Sequence, residues 1–289
     1  MTAVDWNGPG DAPLMVRLEV EQRVATVTLA RPQKNNAMTP EMQRQLRDAL
    51  LATENDGAVD AVVLTGEGRA FCPGADLANL RDEGSDGSQR AHLDTAFEAV
   101  QLARRLSKAV ICAINGGCAG VGLALACMAD VRIAADTAKF ATAFSRRGLV
   151  AEYGLAHLLP RMVGQGRALD LLLSGRTFTA ADAYDYGIVQ EVVAADELQH
   201  RARAYAIELV RDCSPTSLAV IKRQVHLAEG GSFEQDSARA KMLMPASRSR
   251  ADVSEGVNAF LQKRAPQFSS IDQSMVSLLD TPELQKEPT

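Results

Sequence analysis

A chain of 289 residues that is 46% hydrophobic can bury a large core, as one big domain or a main domain with an appendage. Its formal charge of -5 carries no basic excess, and Lys and Arg fall singly or in pairs, which argues against a nucleic-acid partner. No stretch is apolar for long enough to span a bilayer and the first residues carry no signal pattern, so a soluble cytoplasmic protein without membrane association is expected.

Residues 1–13, rich in Gly, Pro and Asp, form a loose lead-in. Val16 to Val20 and Val24 to Leu29 alternate as two strands of a hairpin. A polar loop through Lys34 and Ala37 reaches Thr39-Pro40, an N-cap with Pro at the first helical position, and Met42, Leu46, Ala49 and Leu50 line one helix face. Ala61 to Thr65 is a continuous apolar run, the mark of a strand covered on both faces. After Ala70-Phe-Cys-Pro-Gly-Ala-Asp-Leu77, residues 81–91 lack an apolar period and read as a mobile loop. Leu93, Phe97, Val100, Ala103 and Leu106 then sit at helical spacing.

The strand Val110 to Ile114 runs into the glycines at 116, 117, 120 and 122, followed by a helix of small residues. Such a turn bares backbone N–H groups at a helix start, where they can hold an anion, or it serves only close strand-to-helix packing. Val131 to Ala134 is another strand, Phe140 to Gly148 an irregular segment, and Ile188 to Val193 a last strand after helices near 155–163, 165–173 and 179–186. From 196 the pattern is helical: 196–212, 216–228, 232–244 and 252–264. The expected division is therefore 1–13 lead-in, 14–195 core, 196–266 helical appendage and 267–289 polar tail.

The five cysteines form no C-x-x-C pair and read as small buried hydrophobes, and four scattered histidines make a metal site improbable. A dinucleotide fingerprint needs glycine where Leu125 stands, and phosphate-loop and nucleophile-elbow patterns do not occur. What remains is a pair of glycine-bearing turns, Cys72-Pro-Gly-Ala75 and Gly120-Val121-Gly122, which could aim two N–H groups at one carbonyl oxygen.

These turns, with the later runs A-D-V-R-I-A-A-D, G-L-V-A-E-Y-G-L-A-H and A-A-D-A-Y-D-Y-G-I-V, resemble the crotonase (enoyl-CoA hydratase/isomerase) superfamily over residues 14 to 265. The resemblance implies an α/β fold, a spiral of ββα units with a C-terminal helical appendage, assembled as a homotrimer or homohexamer. It implies an acyl-CoA thioester as substrate, with coenzyme A part of the substrate and no separate cofactor. The N–H groups of Ala75 and Val121 would form an oxyanion hole for the thioester enolate. Lys34, Phe260 and Lys263 match positions that hold the CoA nucleotide in the family, although a solvated lysine and a core phenylalanine fit the same letters. Ala37, Ala70, Asp76, Leu77, Gly120, Phe144 and Tyr153 would line the substrate site, with Asp76 read as the N-cap of the turn beginning at Leu77 rather than as a catalyst.

The chain departs from the family's hydratases at the two positions where those carry glutamates, here Ala124 and Phe144. Glu152 instead matches the carboxylate of members that isomerise 3-enoyl-CoA to 2-enoyl-CoA, where one base suffices. A helix N-terminal glutamate is its structural alternative. Hydration or thioester hydrolysis through Glu152, and a non-catalytic CoA- or RNA-binding relative, are the competing functions. Tyr153 and His157 are expected near the pocket, His157 as a histidine packed among Leu155, Leu158 and Leu159.

Overall fold

The computed structural model describes residues 12–76 and 88–280. Strands β1 (Val16–Glu21) and β2 (Val24–Leu29) form the expected antiparallel hairpin. Gln22 and Arg23 at its tip take φ of 53° and 63°, the left-handed pair of a tight turn that matches strand twist. Parallel to β2 run β3 (Ala61–Gly66), then β5 (Ala109–Ile114), β7 (Val131–Ala135) and β10 (Glu191–Val193), giving a six-stranded sheet in the order β1-β2-β3-β5-β7-β10. The short strands between them, β4 (Ala70–Cys72), β6 (Gly117–Ala119), β8 (Lys139–Ala141) and β9 (Thr177–Thr179), form a second sheet of four.

The first turn lays both of its strands in the large sheet; the turns that follow lay one strand in the large sheet and the next in the small one, and then a helix. Helices α1 (Pro40–Asn55), α2 (Ser88–Arg105) and α3 (Val121–Met128) close the first three turns. This is a mixed α/β spiral of ββα units.

The apolar run of β3 is divided by its period of two. Val62 and Leu64 join the main core with Met42, Leu46 and Val110, while Ala61 and Val63 join a second core with Ile111, Ala113 and Ile133. Helix α7 (Leu198–Asp212) covers that second face with Leu198, Ala202 and Ala206, one turn apart each. Burying Leu198 there contributes about 2 kcal/mol.

Helices α4 (Leu155–Val163), α5 (Gln165–Ser174) and α6 (Ala180–Asp185) lead to β10, and α6 begins with the Thr179 cap and Asp182 as a full capping box. The appendage consists of α7, α8 (Pro215–Ala228), α9 (Phe233–Arg248) and α10 (Ala251–Gln262). Among the described residues no helix is long and apolar enough to cross a membrane.

Four expectations change. The 140–148 segment contains the strand β8, because Phe140 packs face to face on Phe178 of β9 with ring centroids 5.4 Å apart. The last strand is shorter than Ile188 to Val193, since Ile188 and Val189 turn back and donate to the Ala183 carbonyl. Residues 88–91, expected as loop, belong to α2, and 81–87 lie outside the described residues. The expected tail folds at 273–280: α11 (Gln273–Ser277) and a following 3-10 turn bury Met275 and Leu279 against Val220 and Leu243.

Candidate active site

The two glycine turns meet. Gly74 has φ of 126° and Gly120 has φ of 53°, backbone that L side chains rarely adopt. A Cβ on Gly120 would lie 3.7 Å from the Gly74 Cα, so the residues that follow, Ala75 and Val121, start from adjoining backbone. Closer still, a Cβ on Gly122 would sit 2.0 Å from the Cys72 carbonyl oxygen and one on Gly116 2.0 Å from that of Arg69. No side chain fits at either, which is why β4 and β6 can run side by side into these turns.

The N–H groups at the turns are sorted by their neighbours. Met38 N donates to the Gly74 carbonyl and Asp76 N to the Met38 carbonyl, a parallel bridge that turns the intervening Ala75 N–H the other way. Gly120 N is taken by the Ala141 carbonyl at 3.1 Å, whereas Val121 is the first residue of α3, where helical N–H groups lack an intrahelical acceptor. Neither Ala75 N–H nor Val121 N–H has an acceptor among the described residues.

A polar frame fixes the first turn from behind. Arg31 pairs with Asp76 at 2.8 Å and donates to the Ala37 carbonyl, with both charged side chains largely buried. Asn36, fully buried at φ of 61°, accepts from Arg31 N and donates to the Glu67 and Ala70 carbonyls. Asp76 is thus an ion-pair partner of Arg31; Leu77, expected to begin the turn that Asp76 caps and to line the site, lies outside the described residues. Arg31 and Asn36 were missed in the sequence, although Asn35-Asn36 carried a signal, since asparagine tolerates the left-handed region both occupy. Lys34 closes the preceding 3-10 turn and is exposed, its carbonyl accepting from Ala37 N.

At the two family glutamate positions the structure places apolar side chains. Ala124 is fully buried in α3, and Phe144 is 4% exposed beside the left-handed Ala143. Glu152 is half-buried in the turn that opens α4, its carbonyl accepting from Leu155 N. The next residue, Tyr153, has φ of 55°, a conformation that costs a non-glycine residue about 1 kcal/mol. Stacking offsets this: the Tyr153 ring is buried 4.6 Å from the Phe97 ring of α2.

Behind Tyr153 lies a cavity of about 730 Å³ between α2, α4, α8 and α11. Its walls include Met128, Tyr153 and Gly154 beside the Glu152 turn, and Gln101, Arg104, Lys222, His226 and Glu229. His157 is not packed among leucines. The α4 stripe of Leu155, Leu158 and Leu159 turns it outward, half exposed, with Nε2 3.3 Å from a Glu229 oxygen that also holds Arg104 at 2.5 Å. Burial and the neighbouring Arg104 cation push the His226 imidazole down to about 4, so it is neutral at pH 7.

Phe260 and Lys263 are not brought to the turns within one chain. Phe260 is 83% exposed on α10, and Lys263 ends that helix in a left-handed cap, also exposed. The cysteines at 72, 112, 118 and 127 are buried, and desolvation raises Cys72 to about 12 and Cys127 to about 11, so they are inert thiols.

The enoyl-CoA hydratase/isomerase family profile matches residues 19–271. The chain is 37% identical over 254 residues to 1,2-epoxyphenylacetyl-CoA isomerase of Escherichia coli, covering 86% of this chain and 96% of that one. It is 34% identical over 261 residues to an enoyl-CoA hydratase of Alternaria alternata, covering 89% and 87%. Among solved structures, the enoyl-CoA hydratase of Bacillus anthracis superposes with a TM-score of 0.84 at 26% identity, over 89% of this chain and 99% of that one. The Mycobacterium smegmatis enoyl-CoA hydratase gives 0.82 at 30% identity, over 89% and 99%. Sequence and architecture agree along nearly the whole spiral and its helical extension, and the chain belongs to the enoyl-CoA hydratase/isomerase family of enzymes.

Proposed function

We propose that the chain isomerises a 3-enoyl-CoA thioester to the 2-enoyl-CoA, with Glu152 as the single acid/base. The observation that carries this reading is the substitution pattern: Ala124 and Phe144 are buried and cannot titrate, while Glu152 stands at the mouth of α4. Glu152 would take a proton from C2 of the acyl group, leaving a dienolate. The thioester oxygen, now anionic, would be held by the N–H groups of Ala75 and Val121, each such donor contributing about 3 kcal/mol in the transition state. Glu152 would then return the proton to C4, so nothing is gained or lost but the position of the double bond. Coenzyme A enters as part of the substrate, and no step calls for a further cofactor.

The relatives support the class from two sides, one named an isomerase and one a hydratase. Gly120, Ala37, Ala70 and Phe144 frame the thioester in this reading, and Lys34 binds the CoA nucleotide together with Phe260 and Lys263 reaching in from a neighbouring protomer of the trimer. Exposed Phe233, Phe260 and Leu261 on α9 and α10 support association into a trimer or a pair of trimers.

The test is turnover of 3-enoyl-CoA and 2-enoyl-CoA by wild type and Glu152→Gln. Isomerisation by wild type that falls at least about a hundredfold in the variant is expected. Isomerisation undiminished in Glu152→Gln would remove Glu152 from the chemistry. Production of 3-hydroxyacyl-CoA from the 2-enoyl substrate would assign hydration instead.

A further inference from the structure

The cavity behind Tyr153 is walled by charge where an acyl pocket for plain fatty chains would be walled by hydrocarbon. Resting on the acyl-CoA reading above, we propose that this cavity receives the far end of the acyl group, and that the acyl group carries a neutral oxygen there, a hydroxyl or carbonyl.

The placement follows from helix α2. Phe97, Gln101 and Arg104 are spaced four and three residues apart and so share one face of it. Phe97 stacks on Tyr153, the neighbour of Glu152, while Gln101 and Arg104 line the cavity one and two turns further on. Tyr153 lines the cavity and directly follows Glu152 in the chain, so an acyl group held at Glu152 has this polar chamber as its neighbour. The volume of about 730 Å³ exceeds what water bridging alone needs and lies within the range of small-molecule pockets.

The chemistry of the occupant follows from how the charges are already paired. Arg104 holds Glu229 at 2.5 Å, Lys222 holds Asp130 at 2.8 Å, and Arg223 holds Asp280 at 2.7 Å. Lys222 also donates to the Ala103 and Lys108 carbonyls, so its three protons are all used. Of the other charged wall groups, Arg105 donates to the Gln101 side chain and Glu54 accepts from Ser107 N, so a charged acyl end deep in the wall would have to break one of these pairs or bonds. A methyl end would strip water from charged groups and give no hydrogen bond in return. A hydroxyl or carbonyl can do neither harm and can bond to the neutral His226 imidazole, to Gln101 or to a remaining guanidinium N–H of Arg104. Arg104 and His226 are then specificity-determining residues.

The test measures binding with CoA thioesters that cannot react, so that it does not depend on Glu152. Dissociation constants are compared for saturated acyl-CoA of about six to ten carbons and their ω-hydroxy counterparts, on wild type, Arg104→Met and His226→Leu. At the best-fitting length wild type is expected to prefer the hydroxylated ligand about tenfold, the effect of one net hydrogen bond. His226→Leu, which leaves the ion pairs intact, should cut that preference to about threefold or less. Equal or weaker binding of every ω-hydroxy ligand by wild type would overturn the proposal, as would a preference that both variants keep in full. A preference found without any isomerase turnover would sustain the cavity's role and count against the proposed reaction alone.

Discussion

The glycine turns and the cavity behind Tyr153 are linked by α3, which starts at Val121 and ends at Met128 in the cavity wall, but they are built on opposite principles. At the turns, function rests on backbone: side chains are excluded at Gly116 and Gly122 by carbonyl oxygens that a Cβ would approach to 2.0 Å, and two N–H groups are left over. In the cavity function rests on side chains, with Arg104, Glu229, Lys222 and Asp130 neutralising one another through hydrogen-bonded pairs. A site made from backbone tolerates almost no substitution at its glycines and great freedom at its donors, so a valine at 121 is compatible with the proposed donor role. A site made of side chains can be retuned one residue at a time. On the proposed reading, one fold can keep the same enolate-stabilising turns while its acyl specificity drifts.

That contrast breaks most visibly at Gly122. Gly122→Ala drives a methyl group into the Cys72 carbonyl, backbone against backbone, and should destabilise the protein by about 3 kcal/mol or more and abolish turnover. Gly166→Ala is the matched control: it lies in α5, where a Cβ has nothing within 4 Å, and should be neutral or stabilising by up to about 1 kcal/mol. Thermal unfolding of the two variants reads the difference directly. Equal losses in both would show that the close approach at Gly122 does not constrain the turn.

The turns were legible in the sequence for the same steric reason. Glycines at 74, 116, 120 and 122 are forced, and forced residues leave a pattern that a linear reading can see. The buried run of β3 and the Thr39 and Thr179 caps were legible because local rules suffice for them. What stayed hidden depends on partners far along the chain. Arg31 with Asp76, Phe97 with Tyr153 and Glu229 with Arg104 are separated by long stretches of chain, and no period or spacing announces them. His157 was placed among leucines because its neighbours in sequence are leucines, while its partner in space is Glu229.

The boundary between the two regions is the Phe97–Tyr153 stack, and it can be sharpened by a smaller change. Phe97→Leu keeps the volume nearly filled but removes the ring that covers Tyr153 in its left-handed conformation. A loss of about 1 kcal/mol in stability is expected, with kcat falling more than binding of an unreactive acyl-CoA. That split would mark Phe97 as positioning the Glu152 turn. An equal fall in both would make it an ordinary core residue.

A further effect is a pH dependence confined to the cavity. His226 titrates near 4 in the folded protein against an ordinary value of 6.5, because burial and Arg104 disfavour its cation. Lys222 acts in the same direction, while Asp130 and Glu229 partly oppose it. The folded state therefore binds the proton less readily than the unfolded state, and unfolding takes up a proton between these two values. By linkage the contribution of His226 is fully present above pH 6.5 and is lost progressively as pH falls toward 4. Chemical denaturation across that window should show wild type losing more stability than His226→Leu, in which no proton is taken up at this position. Parallel curves for the two proteins would mean that the imidazole is as well hydrated in the folded chain as in the unfolded one, and that the cavity wall at α8 is open to water.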